Sequence, residues 1–403
     1  VAEARRARGD GGRTGTVVRL PVRPRPAPAP RDLRLDFFRG LALWLIYLDH
    51  VPSNVLNVAT LRNFGFSDAA EIFVFISGYT AALVYGRVMR ERGVIIATAR
   101  VLKRVWQLYV AFVFLFVVYL AQIAYVAQRF QNPLYAEEMN VLRFLDEPDV
   151  TLIQALLLRF KPANTDILPL YIVLMAAFPV VLWGLIKRPN LTLGVSLAVY
   201  AVARLMGWNF QGWPAEHMWV FNPLAWQFLF VFGSWCAIGG LDRLEPVLRS
   251  RIAVGVAAAF LLASLLVVLS WSVPALEGLV PDAVGELIYP ISKTDLSLLR
   301  FLHFLALALV VAHFVPSDWS LLRARFAQPL VLCGQHSLEI FCLGVFLSFG
   351  AHLVLVEVSG RLLTHVLVSV GGIIAMVALA ALMSWYQENE KRRGPDRAAG
   401  GSA

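Results

Sequence analysis

Charge is scarce in this chain. Asp, Glu, Lys and Arg make up 16% of its 403 residues, against about a quarter in an ordinary soluble domain. No polar stretch long enough to fold as an appended soluble catalytic domain separates the apolar runs that recur from residue 37 to residue 386. Cysteine is scarcer still. Cys236, Cys333 and Cys342 are the three present, none lies in a CxxC, and all fall in apolar runs. That excludes a disulfide framework and a thiolate zinc site, and leaves buried small hydrophobes. The seven histidines show no ligand spacing with carboxylates or cysteines, so no metal site is expected. The first thirty residues, with PVRPRPAPAP among them, lack the apolar core of a signal peptide.

What is abundant is apolar surface. The chain is 58% hydrophobic with a mean hydropathy of +0.66. Such a composition predicts an all-α, polytopic integral membrane protein, because a helix satisfies its own backbone groups in lipid. About ten spans can be counted, near 37–55, 68–86, 105–127, 167–186, 191–206, 223–240, 252–271, 297–315, 329–349 and 362–386. The remainder divides into a disordered basic cytoplasmic tail over 1–35, a transmembrane domain over 36–386 and a C-terminal tail over 387–403.

A formal charge of +9 could suggest nucleic acid, but the positions of the charges argue against that partner. With this span count, 26 of the 36 Lys and Arg lie in the tails and in the loops on the tails' side, and nine lie opposite. The positive-inside bias then puts both termini in the cytoplasm. Among the outer loops, 128–166 is the longest, and its DVTLIQALLLRF is amphipathic at helical spacing, as an interfacial helix would be. WNFQGWPAEHMWVFN over 208–222 carries three tryptophans, which suit either an aromatic membrane belt or a sugar-stacking surface.

Few residues could carry chemistry inside such a bundle. Arg39 and His50 lie eleven positions apart on the first span, about three turns, so they share a face roughly 16 Å apart along the axis. Ionisable groups at that depth are expensive and usually functional. The bland alternative is an arginine reaching one interface and a histidine sitting at the other. The next span brings Asp68 and Glu71 at i and i+3, then Ser77-Gly78, a small pair that admits a close helix neighbour or a ligand. The first inner loop holds Arg87, Arg90, Arg92, Arg100, Lys103 and Arg104. They either fix topology or grip phosphate oxygens.

These residues resemble a family. The R-x10-H spacing, EIFVFISGY on the second span and Arg104-VWQLY leading into the third are similar to the signature elements of the acyltransferase-3 superfamily of membrane acyltransferases. ILPLYIVLMAAFP resembles its fourth-span pattern. Gln107 stands where that superfamily has proline, and Phe341 where its late Gly-x-x-Ser element has tyrosine. LDFFRG, AAEIFVFISGY, FNPLAWQFLFVFG, KTDLSLLRFLHF and CGQHSLEIFCLGVFLSF together resemble the OpgC type, over about residues 31–386.

The resemblance implies an acyltransferase-3-like fold in a bacterial inner membrane. It implies an O-acyltransferase that moves a succinyl group from cytosolic succinyl-CoA to hydroxyls of osmoregulated periplasmic glucans. On that reading His50 is the general base, Arg39 contacts the donor, and Glu71 orients His50 or holds the acceptor. No permanently bound cofactor is implied. Ser77, Arg100, Lys103 and Arg104 are candidates for the acyl-CoA. Asn222, Trp226, Gln227, Lys293, Asp295, Arg300, His303 and His336 are candidates for the acceptor side, with helix-to-helix hydrogen bonding as their plain alternative. A free carboxylate on the acyl group calls for a cation, and Lys293 and Arg300 are the choices. Other classes stay open: acetyl transfer to a surface polysaccharide, a transporter or flippase for a glycan or anion, and a non-enzymatic partner of a glucan synthase. Against transport, the sequence shows no inverted repeat and no paired Gly/Pro-interrupted spans.

Overall fold

The computed structural model describes residues 32–393, apart from 277, 279 and 317. Most of the expected basic tail and the end of the expected C-terminal tail lie outside the described residues. Sixteen α-helices and no strand occur among the described residues, with one isolated bridge between Gln211 and Met218. The first three are α1 (Leu33–His50), α2 (Ala69–Arg92) and α3 (Val94–Arg129). Three short ones follow, α4 (Leu134–Glu138), α5 (Leu142–Asp146) and α6 (Pro148–Leu156), the last from the segment with amphipathic spacing. Next come α7 (Ile167–Lys187), α8 (Pro189–Met206) and α9 (Pro223–Trp235). A π-helical turn then leads to α10 (Leu241–Leu248), followed by α11 (Arg251–Ser272) and α12 (Asp282–Ile288). The chain closes with α13 (Leu298–Phe314), α14 (Gln328–Gln335), α15 (Ser337–Glu357) and α16 (Leu362–Arg393).

Eight of these stretches are long and apolar enough to cross a membrane: α2, α3, α7, α8, the run Pro223–Leu248, α11, α15 and α16. The expected first and eighth spans differ from them for physical reasons. Helix α1 carries Arg34, Asp36, Arg39 and Asp49 within 18 residues. Helix α13 is apolar but has only 17 residues. The expected ninth span is also interrupted. Its backbone leaves the helical region at His336 (φ −112°, ψ 40°), splitting α14 from α15. A second interruption falls at Ile238 and Gly239. Neither break uses proline, but the second sits on Gly239-Gly240, with Gly239 at φ 95°, so the expected absence of glycine-interrupted spans is corrected there.

Local signals explain the helix starts that frame the site. Asp68 caps α2 by accepting from the Ala70 N–H, and the Glu71 side chain accepts from the Asp68 N–H, a capping box written in the sequence as D-x-x-E. Asn222 caps α9 ahead of Pro223, and Ser297 caps α13. Small residues set the closest crossings. A Cβ on Gly40 would lie 1.9 Å from the Leu330 carbonyl oxygen, and one on Gly334 would lie 1.9 Å from the Asp36 carbonyl oxygen, so α1 and α14 touch backbone to backbone. Gly78 and Gly233 do the same for α2 and α9: added Cβ atoms would meet the Phe230 oxygen at 2.0 Å and the Phe75 oxygen at 2.3 Å. Between these helices lies an apolar core that includes the fully buried Tyr47, Phe112, Tyr119, Phe178 and Trp226.

Candidate functional site

His50 closes α1, and the rest of the chain fixes that helix end firmly. The Tyr47 hydroxyl donates to the Val368 carbonyl (2.8 Å), and Asn54 Nδ2 donates to Ser369 Oγ (3.1 Å), both on α16. Asn164, in the left-handed region at φ 69°, donates through Nδ2 to the His50 carbonyl (3.2 Å). The imidazole stands edge-on to Phe341, 6.4 Å between centroids. It forms no hydrogen bond among the described residues. The charges of Lys293 and Asp68 act on it. Asp49, its sequence neighbour, is engaged elsewhere: it accepts from Thr60 Oγ1 (2.6 Å) and faces Arg62 at 4.0 Å.

Beside His50 lies a buried ion network. Arg300, at the start of α13, donates through Nε to Glu71 Oε1 (2.7 Å) and through Nη2 to Asp68 Oδ2 (3.0 Å). Lys293 Nζ reaches the same Asp68 oxygen at 2.7 Å. Glu71 is fully buried and Arg300 is 9% exposed. Burial alone would raise the Asp68 carboxyl, but Lys293 and Arg300 outweigh it and hold the group well below the usual carboxylate range. The two acids and two bases offset one another, so the network survives away from water. Glu71 spends both oxygens here, one on the Asp68 N–H and one on Arg300.

The acceptor-side candidates fall into two groups. Lys293, Asp295 and Arg300 share one segment with the α13 cap, and α9 backs that segment. Trp226 Nε1 donates to the carbonyls of Lys293 (2.9 Å) and Thr294 (3.2 Å), and Asn222 Nδ2 donates to Asp295 Oδ1 (2.9 Å). From α8, the Tyr200 hydroxyl donates to the Leu296 carbonyl (2.7 Å). Gln227 instead ties α9 to α8, accepting from Ser196 Oγ (2.6 Å) and donating to the Ser196 carbonyl (2.8 Å). His303 accepts at Nδ1 from the Ser67 N–H (3.3 Å), with Ser67 Oγ at 2.7 Å, and presses Nε2 against Gly65. His336 lies at the α14–α15 break and bonds Ser384 Oγ (2.8 Å).

The donor-side candidates are spread over the other end of the bundle. Arg39 donates through Nη2 to Thr80 Oγ1 (2.6 Å) and to the Ile76 carbonyl (3.2 Å), joining α1 to α2. Ser77 is buried on α2, next in sequence to the Gly78 contact with α9. Arg100 and Lys103 are exposed on α3, while Arg104 is half-buried and donates to Gln107 Oε1 (3.4 Å). Among the described residues no group of three or more His, Cys, Asp or Glu could hold a metal ion.

Sequence reasoning missed Asn164, Lys161 and Asp166. Lys161 is 8% exposed, with Nζ 3.8 Å over the Trp219 ring. Burial lowers its ammonium to about 8, against the opposing pull of Asp166. Burial also raises Asp166 to about 6, opposed by Lys161. The run KPANTD reads as turn chemistry before α7, and nothing local shows that it folds back onto α1.

Fold and site together define a polytopic helical membrane protein whose His50 imidazole bonds no other described residue and lies near a buried ion network. The sequence matches the OpgC protein family over residues 31–388, and the chain belongs to that family. No curated protein and no solved structure matches it.

Proposed function

We propose that this protein is a transmembrane O-acyltransferase. It takes a succinyl or similar acyl group from cytosolic acyl-CoA and places it on hydroxyls of osmoregulated periplasmic glucans. Family membership over nearly the whole transmembrane domain suggests a glucan-modifying acyltransferase, and it is the observation that carries this reading. The finer reading counts α1 and α13 as crossings, ten in all, with both termini in the cytoplasm and the bundle in the bacterial inner membrane. The His50 end then faces the periplasm and the exposed arginines of α2 and α3 face the cytosol.

On this reading His50 takes the proton from the acceptor hydroxyl as that oxygen attacks the thioester carbonyl, and the coenzyme A thiolate leaves. An imidazole whose ring nitrogens bond no other described residue has its acceptor uncommitted for that task. Arg39 stands on the same helix toward the cytosolic side, where the donor enters. Arg100, Lys103 and Arg104 supply phosphate contacts for the coenzyme. Asp68 holds Lys293 near His50, and Glu71 and Arg300 hold Asp68.

A transport reading draws support from the interruptions at His336 and at Ile238–Gly239, since discontinuous helices commonly mark ion and substrate paths. One experiment separates the two. Glucans from cells carrying the wild-type chain, His50→Ala and no chain are compared by mass spectrometry. Acyl transfer predicts substituted glucan with the wild type alone, while His50→Ala is inserted at wild-type levels. Unsubstituted glucan from the wild type would sink the acyltransferase reading, and normal substitution with His50→Ala would remove His50 from it.

A further inference from the structure

Two cations were candidates for the free carboxylate of a dicarboxylate-derived acyl group, and the geometry separates them. Arg300 is enclosed: its Nε and Nη2 are taken by Glu71 and Asp68, and it is 9% exposed. Moving it onto a substrate would strand Glu71, which is fully buried. Lys293 differs in every respect. Its side chain is 42% exposed, and Asp68 Oδ2 is the single acceptor it contacts among the described residues. An ammonium carries three donors, so two remain for a ligand. Phe221 lies 5.3 Å from Nζ and gives the cation an apolar wall.

The backbone of Lys293 is also fixed in place. Trp226 and Asn222 grip the segment from α9, Tyr200 grips it from α8, and Ser297 begins α13 four residues later. Asp68 holds the ammonium through one carboxylate oxygen, which Arg300 shares. The charge also reaches His50. A succinyl group carries its carboxylate a short two-methylene spacer from the carbonyl that His50 would serve. Preorganised charge of this kind discriminates without ordering anything new.

We infer that Lys293 is the specificity-determining residue, selecting acyl groups that end in a carboxylate over neutral ones, with Asp68 as its positioning residue. The inference rests on the acyltransferase reading above. Its test is a competition. Purified full-length protein in lipid vesicles receives purified osmoregulated periplasmic glucan with succinyl-CoA and acetyl-CoA together, and the ratio of succinyl to acetyl product is read by mass spectrometry. A ratio within one preparation cancels any loss of folded protein. Lys293→Met should lower the succinyl preference about 10- to 100-fold, the scale of one lost charge-assisted hydrogen bond. Lys293→Arg should keep most of the preference. An unchanged ratio in Lys293→Met, with acyl transfer still measurable, overturns this inference alone. Wild-type protein that transfers neither acyl group overturns the acyltransferase reading and this inference with it.

Discussion

The two ends of the bundle handle charge in opposite ways. At the His50 end, Asp68, Glu71 and Arg300 are buried against one another, joined by a half-exposed Lys293. At the far end, Arg87 pairs with Glu91 one helical turn on, both about half exposed, and Arg100 and Lys103 lie open on α3. Exposed pairs contribute little, because water and salt screen them. A buried network contributes geometry: remove one member and another is left charged without a partner. The His50 end is therefore built to hold positions, while the charges at the other end stay exposed.

The sharpest way to break this comparison is to delete one charge at each end. Arg300→Met should destabilise the protein by about 3–5 kcal/mol, since Asp68 and Glu71 would stay buried with too little positive charge. Arg87→Met should change stability by less than about 0.5 kcal/mol. Thermal unfolding in one detergent measures both. Equal effects would mean that the network is as well hydrated as the surface pair.

The contrast also explains what the sequence disclosed. Asp68 and Glu71 were legible as a pair at helical spacing ahead of an apolar run, and the structure makes them a capping box. Their partner Arg300 is 229 residues from Glu71, and no local periodicity reports such a pairing. His50 was singled out because it shares a helix face with Arg39 three turns away. Asn164 was not: a loop asparagine is ordinary, and its role comes from a left-handed backbone aimed at another helix. Eight apolar stretches were easily read as spans. Helix α1 was legible through its Arg and His rather than its hydropathy. The break at His336 was hidden because Cys333-Gly-Gln-His-Ser337 has no proline, and its single glycine is used for contact with Asp36.

A second, smaller effect tests whether packing or charge fixes the site. Gly78→Ala should cost about 1–3 kcal/mol, the usual range for overpacking, because its Cβ would meet the Phe230 backbone oxygen. Gly194→Ala is the reference: nothing lies within 4 Å of its added Cβ, so no penalty is expected. Helix α2 carries Asp68 and Glu71 at its start, so Gly78→Ala should also impair acyl transfer. A destabilised Gly78→Ala that turned over at the wild-type rate would show that the α2–α9 crossing does not position the network.

Smaller again is Trp226→Phe. An aromatic ring remains, but it is smaller than the fully buried indole, and the donations to the Lys293 and Thr294 carbonyls are lost. Thr294 keeps the Asn222 N–H as a donor, so the lost hydrogen bonds should contribute about 1 kcal/mol of the stability loss, with the smaller ring adding a cavity cost. The succinyl-to-acetyl ratio should fall with it, because Lys293 would no longer be held in register. A stability loss with an unchanged ratio would make Trp226 a packing residue alone.

The finest effect concerns a third charged pair, Lys161 and Asp166, where burial outweighs pairing. Asp166 rises to about 6 in the folded protein, above its ordinary value near 3.8. Folding therefore favours its protonated form, and that contribution is present at low pH and lost as pH rises through about 6. Lys161 is lowered to about 8 from 10.5. Its contribution is present above its ordinary value and lost as pH falls through about 8. The two slopes have opposite sign, so the segment around residues 161–166 should be least stable between about pH 6 and pH 8. Hydrogen exchange in that segment, corrected for intrinsic rates, should show protection rising on either side of this window. Asp166→Asn should abolish the acid-side rise and leave the alkaline one. If the acid-side rise survives in Asp166→Asn, Asp166 is not its source.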